Sequence, residues 1–147
     1  MIQTVVNIAR IAMVALALAG CARQAPEQRL RQTVADMQQA VEQGKPKAFM
    51  EHVAGDFIGN EGLDRDGLDR LLRGQLLLNA KVGVHAGPLS VDMKQGAATV
   101  KFTVVLTGGN GGLLPERGQV QQVVSGWREV DGKWQVYSAD WSAATEQ

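Results

Sequence analysis

The period of hydrophobic positions changes twice along this chain. Residues 11–19, "IAMVALALA", are apolar without a break, with Arg10 before them and Gly20 and Cys21 after. From Glu27 onward Leu30, Val34, Met37 and Val41 fall at i, i+4, i+7 and i+11, which places them on one face of a helix. Gly44 is a stop signal, and Pro46 opens a second, shorter helix carrying Phe49, Met50 and Val53. "AGDFIGNEG" breaks that helix. Asp66 then caps a third, with Leu68, Leu71, Leu72 and Leu76 as its apolar stripe and Asn79 near its end.

After Lys81 the period falls to two. "KVGVHAGPLSVDM" carries Val82 and Val84, then Leu89, Val91 and Met93, and Pro88 between them predicts an edge or a bend. "KQGA" is a turn, and "ATVKFTVVLTG" alternates with Val100, Phe102, Val104 and Leu106 on one face. A glycine-rich stretch, "GGNGGLLPERG", leads to "QVQQVVSGWREV" and "KWQVYSADW", joined by Asp131-Gly132. Asp-Gly between two alternating segments predicts a two-residue hairpin. With that loop, Val130 faces Lys133, Trp127 faces Val136, Glu129 faces Trp134 and Val123 faces Asp140. One face then carries Val123, Trp127, Trp134 and Val136, with Gln121 and Asp140 along the same row, and is the candidate core or pocket face. The other carries Gln122, Arg128, Gln135, Tyr137 and Trp141 and is the candidate interface, with Tyr137 covering Gly126.

Three helices followed by antiparallel strands predict an α+β fold with the helices on one face of a curved sheet. That order, over residues 27–142, and the ending "GWREVDGKWQVYSADW" resemble the nuclear transport factor 2-like superfamily. The resemblance implies a cone of three N-terminal helices on a curved, mainly antiparallel sheet. A cystatin-like roll is the neighbouring alternative. It also implies a pocket between sheet and helices, serving an isomerase or dehydratase in some members and binding or dimerisation in many others. Fold does not choose among these.

The first segment carries an address. Nine apolar residues are too few to span a bilayer, which needs about 20. A positive start, an apolar middle and a small-residue exit fit a secretory signal. Leu18-Ala19-Gly20-Cys21 resembles the lipobox of bacterial lipoproteins at every position. The resemblance implies cleavage before Cys21, acylation of its thiol and new amine, and a lipid-anchored protein of the cell envelope. Ala22 after the cysteine favours the outer membrane, facing the periplasm. The expected organisation is a signal peptide over 1–20, lipidated Cys21 and a short tether over 21–26, one domain over 27–142, and a tail over 143–147.

Charge narrows the function further. The chain has 15 basic and 15 acidic residues, and loss of Arg10 with the signal leaves 14 against 15. No basic excess points to nucleic acid. Cys21 is the single cysteine, so within one chain neither a disulfide nor a cysteine metal site is expected. His52 and His85 show no metal-ligand spacing, and no cofactor motif occurs. In "DRDG", a calcium-loop alignment puts glycine and arginine where the first and last ligands belong. "GGNGG" lacks the Lys-Ser/Thr of a phosphate loop, and the adjacent Leu113 and Leu114 tuck under the loop or meet a partner. Arg29, Arg31, Arg70 and Arg73 read as solvated helix faces.

For catalysis, isomerase-like members need a carboxylate base and a donor such as Tyr in an apolar pocket. The only tyrosine, Tyr137, falls on the outer face, which leaves Asp140, with His85 or Gln121, as weak candidates. The expectation is therefore a non-catalytic module that binds a small apolar ligand or a protein. A homodimer through the outer face is one form of it. The alternatives are a small-molecule isomerase or hydrolase using a pocket carboxylate, and a structural partner of an envelope assembly.

Overall fold

The computed structural model describes residues 23–79, 81–109 and 117–144. Residues 1–22, with the expected signal peptide and Cys21, and Leu113, Leu114 and the last three residues lie outside them. Helix α1 runs Pro26–Glu42, α2 Pro46–Met50 and α3 Arg65–Leu78. The strands are β1 Val53–Gly59, β2 Lys81–Ala86, β3 Ser90–Lys94, β4 Ala97–Gly109, β5 Arg117–Val130 and β6 Lys133–Ala143, with a 3-10 turn at Asn60–Gly62. They form one sheet in the order β1-β6-β5-β4-β2, with β3 also on β4. All pairs are antiparallel except β1 with β6. This is the expected α+β architecture.

Both proline-led helices start at their prolines, where the missing N–H is no loss. Pro88 explains the two short edge strands. It lacks a ladder donor, so β2 stops at Ala86, β3 starts at Ser90, and both lie in line along β4. Only Gly87 N–H bridges the gap, donating to Thr103 O at 2.8 Å. At the β5–β6 hairpin Asp131 and Gly132 have φ of 51° and 76°. Both central residues sit in the left-handed region that a tight hairpin turn requires.

Four expectations are corrected. Val53 leaves the second helix and opens β1, so "AGDFIG" is a strand, with Val53, Ala54, Phe57 and Gly59 buried. Asp64, not Asp66, caps α3, its carboxylate accepting from Gly67 N–H at 2.7 Å. Ala143 ends β6, and Ala144 N–H donates to Val120 O, so the sheet extends into the expected tail. The segment expected as a tether also ends earlier: Pro26 is already helical, and Gln24 O accepts from Arg29 Nε at 3.3 Å.

The core lies between α1, α2 and the inner face of the sheet. Leu30, Met37, Met50, Val53, Phe57, Ala98, Val100, Trp127, Trp134 and Val136 form one buried cluster. Its polar atoms are satisfied. Trp134 Nε1 donates to Pro26 O at 3.0 Å. Trp127 Nε1 donates to the buried Ser125 hydroxyl at 2.8 Å, and that hydroxyl donates to Val100 O at 3.2 Å.

Candidate functional site

The hairpin register decides which side chains face the helices. From the turn inward it follows the expectation: Val130 opposite Lys133, Glu129 opposite Trp134, Trp127 opposite Val136. A bulge then intervenes between Gly126 and Trp127, so Gly126 pairs with Ser138 and Val123 with Trp141. One extra residue exchanges the two faces of everything beyond it. Asp140 therefore pairs with Val124 and is exposed on the outer face, so it is not a pocket carboxylate. Trp141 moves inward, off the face expected to carry the interface. Its ring stands 3.1 Å from where a Cβ on Gly59 would be, so glycine there makes room for the indole. His85 is exposed on the outer face beside Val105, far from a pocket role.

The remaining inner-face residues are placed as expected. Val123, Trp127, Trp134, Val136 and Gln121 all face the helices. Gln122, Arg128, Gln135 and Tyr137 stay on the outer side. Gly126 pairs with Ser138, yet the Tyr137 ring still lies over it, 2.8 Å from a would-be Cβ. Arg128 stacks over that ring, 5.5 Å from its centre. The same guanidinium grips Asp56 through both carboxylate oxygens. Its hydrogen bond holds the Asp56 carboxyl below the ordinary aspartate value, and slight desolvation opposes it.

The inner face is sealed at one end and half open at the other. Near the hairpin turn, Trp127 and Trp134 are 3% and 2% exposed. Toward the opposite end Phe102, Leu106, Gln121, Val123 and Trp141 are all half-buried. There α3 leans on α2 and β1, and its stripe is only partly covered: Leu68, Leu72 and Leu76 are half-buried while Leu71 is exposed. Beside it Leu77 and Leu78 stand 87% and 75% exposed. A cleft of about 470 Å³ opens at this end between α1, α3 and β2, lined by Val41, Glu42, Arg73, Leu76, Leu77 and Val82 among others.

The half-buried sheet residues of this region are apolar apart from Gln121, while the cleft beside them also carries Glu42, Gln43, Arg73 and Asn79. Between Phe102 and Leu106 on β4 and between Gln119 and Val123 on β5, the inner row of the sheet carries no ionisable residue, and Arg117 follows at the end of that row. Glu129, the inner-face carboxylate at the narrow end, is engaged by Arg29 at 2.7 Å. Glu42 accepts from Val84 N–H, and Asp69 pairs with Arg73. No group of three metal-ligating side chains occurs among the described residues. A second cleft of about 520 Å³, at the joint of α2, β1 and α3, is lined by Glu51, Asp64, Arg65, Asp66 and Gln135, two of which the fold already uses. Arg65 there donates to Met50 O and Val53 O, and Asp64 is the helix cap.

Three helices on a curved sheet with a half-open inner face define a nuclear transport factor 2-like, cystatin-like fold, and solved structures bear this out. A proposed scytalone dehydratase from Novosphingobium aromaticivorans matches with a TM-score of 0.73 at 16% identity, over 81% of this chain and 84% of that one. A nuclear transport factor 2-like protein of unknown function from Pseudomonas putida matches at 0.69 and 17%, over 82% and 87%. A Bdellovibrio bacteriovorus protein matches at 0.72 and 12%, over 82% of this chain but 41% of its own. Others carry the cystatin-like name, so the two expected folds are one. No protein-family model matches the chain, and no curated protein is similar to it in sequence. Likeness at these identities shows the fold and leaves the activity to the site.

Proposed function

We infer that this chain is a lipid-anchored periplasmic protein whose domain binds a small apolar ligand at the wide end of its cone without catalysing a reaction. The carrying observation is the half-buried set Phe102, Leu106, Val123 and Trp141, with Gln121 as its polar group. These side chains stand beside the 470 Å³ cleft and do not line it, and an apolar surface with one or two orienting polar atoms suits a ligand held by burial. Acid–base chemistry of the dehydratase type needs a proton carrier in reach of the substrate. The carboxylate and imidazole candidates both face outward, which speaks against that alternative. The anchor rests on the Leu18–Cys21 motif, and outer-membrane placement on Ala22.

Native mass spectrometry of the full protein, released gently from membranes, tests the reading. A reproducible added mass, lost on Trp141→Ala, is expected. A clean unliganded mass at every extraction would overturn it.

A second reading concerns the outer face. Val120, Val124, Ile58 and Tyr137 are each more than a third exposed there, and the sheet side they share suits a second copy of this chain. Sedimentation that stays monomeric up to high concentration would remove it.

A further inference from the structure

We propose that the narrow end of the cone is the membrane-facing surface and that it docks on anionic headgroups, so that the wide end opens away from the bilayer. This rests on the lipid anchor inferred above. The start of the domain is tied to the β5–β6 hairpin turn. Arg23 lies against Gly132, its guanidinium 2.8 Å from where a Cβ would stand. Arg29 Nη1 donates to Gly132 O at 2.7 Å and to Glu129, and Trp134 Nε1 donates to Pro26 O. Cys21 precedes Arg23 by two residues, a reach of about 7 Å at full extension. An anchor at Cys21 therefore leaves this end little freedom to drift from the surface.

The charges fit that placement. Arg23 and Lys133 flank the hairpin turn, and Lys94 borders the adjacent β3–β4 turn, where Gly96 O accepts from Glu129 N–H. All three are exposed, and none makes an ion pair among the described residues. Asp131 in the hairpin turn and Asp92, two residues before Lys94, are exposed carboxylates near them. Val130, 42% exposed, adds an apolar contact at the tip. Basic side chains within a Debye length of an anionic surface are drawn to it.

The α1–α2 turn at Gln43 and Gly44 marks the opposite end. With α1 running between them, the two ends are roughly 25 Å apart. Whatever enters the wide end then arrives from the aqueous compartment and does not pass directly out of the anchoring leaflet.

The test uses the full acylated protein in vesicles containing phosphatidylglycerol and a headgroup-attached quencher. A fluorophore is placed at Gln95→Cys, in the β3–β4 turn, or at Gln43→Cys. The Cys21 thiol is consumed by acylation, so each label is single. The expected result is several-fold stronger quenching at position 95 than at 43, with the contrast reduced in Lys94→Glu/Lys133→Glu. Equal or inverted quenching in protein that carries the acyl mass overturns the orientation. An unchanged contrast in the charge-reversed protein overturns the headgroup contact. Protein without the acyl mass, fractionating like Cys21→Ser, overturns the anchor and this proposal with it.

Discussion

The two ends of the cone are built from the same sheet and behave as different materials. At the narrow end, large aromatic side chains interlock with α1, and each buried polar atom has a partner. At the wide end the side chains are equally apolar but half covered, and the last turn of α3 presents two leucines to solvent. Composition does not separate the two regions. Closure does, because α1 covers the narrow end while the side chains of the wide end and of α3 stay partly exposed. Stability should therefore concentrate at one end and ligand chemistry at the other.

The largest expected effect tests that division. Trp134→Ala removes a fully packed indole and its bond to Pro26 O, and should cost about 3–5 kcal/mol in urea unfolding. A loss below about 1 kcal/mol would show that the narrow end is not the structural core. Ser125→Ala comes next. It leaves Trp127 Nε1 buried without an acceptor, at a cost of about 1–3 kcal/mol. Replacement of both residues by apolar ones should recover part of that loss, since no donor is then stranded.

What was legible in the sequence follows the same line. The helices, the hairpin turn and the inner row through Val136 could be read because local patterns specify them. Trp127 opposite Val136 needs only a two-residue loop and a period of two. Beyond Gly126 the reading failed by one residue, since a bulge leaves no trace in an alternation that stays plausible on either side. The visible hint was Gly59: an aromatic must cover it, and Trp141 on the inner face does. Strand β1 was missed for a related reason. Gly55 and Asp56 break its alternation, its register against β6 shifts between Val53 and Ile58, and its partner is far along the chain. Nothing local marks such a strand. Without the bulge Asp140 would stand on the inner face, where a base belongs.

A third prediction addresses a polar clamp at the wide end. Asn60 binds the backbone of Trp141 twice, donating to its carbonyl at 2.6 Å and accepting from its N–H at 2.9 Å. Asn60→Ala should cost about 1–2 kcal/mol and raise amide exchange at Trp141 far more than at Trp134. Uniform exchange across β6 would mean that the two ends open together, and the comparison would collapse. Smaller still is Leu77→Ser/Leu78→Ser. Both side chains are exposed, so stability should change by about 0.5 kcal/mol or less. A larger loss would show that these leucines are covered in solution.

The smallest effect lies outside both ends, at the Asp56–Arg128 pair. Its hydrogen bond depresses the Asp56 carboxyl in the folded chain. Because the folded value lies below the unfolded one, the pair's contribution is complete above about pH 4 and disappears as pH falls through the folded value. Asp56 is 65% exposed, so solvent and salt screen the interaction, and only a slight slope is expected. Urea midpoints measured between about pH 3 and 5 should fall less steeply in Asp56→Asn than in the natural chain. The difference should shrink in high salt. Arg128 also stacks on Tyr137, which covers Gly126 at the bulge. If Asp56→Asn instead lowers stability at every pH, the pair is holding that stack and the bulge beneath it. The inward turn of Trp141 would then depend on an ion pair on the opposite side of the sheet, and the wide end would be shaped from outside the cone.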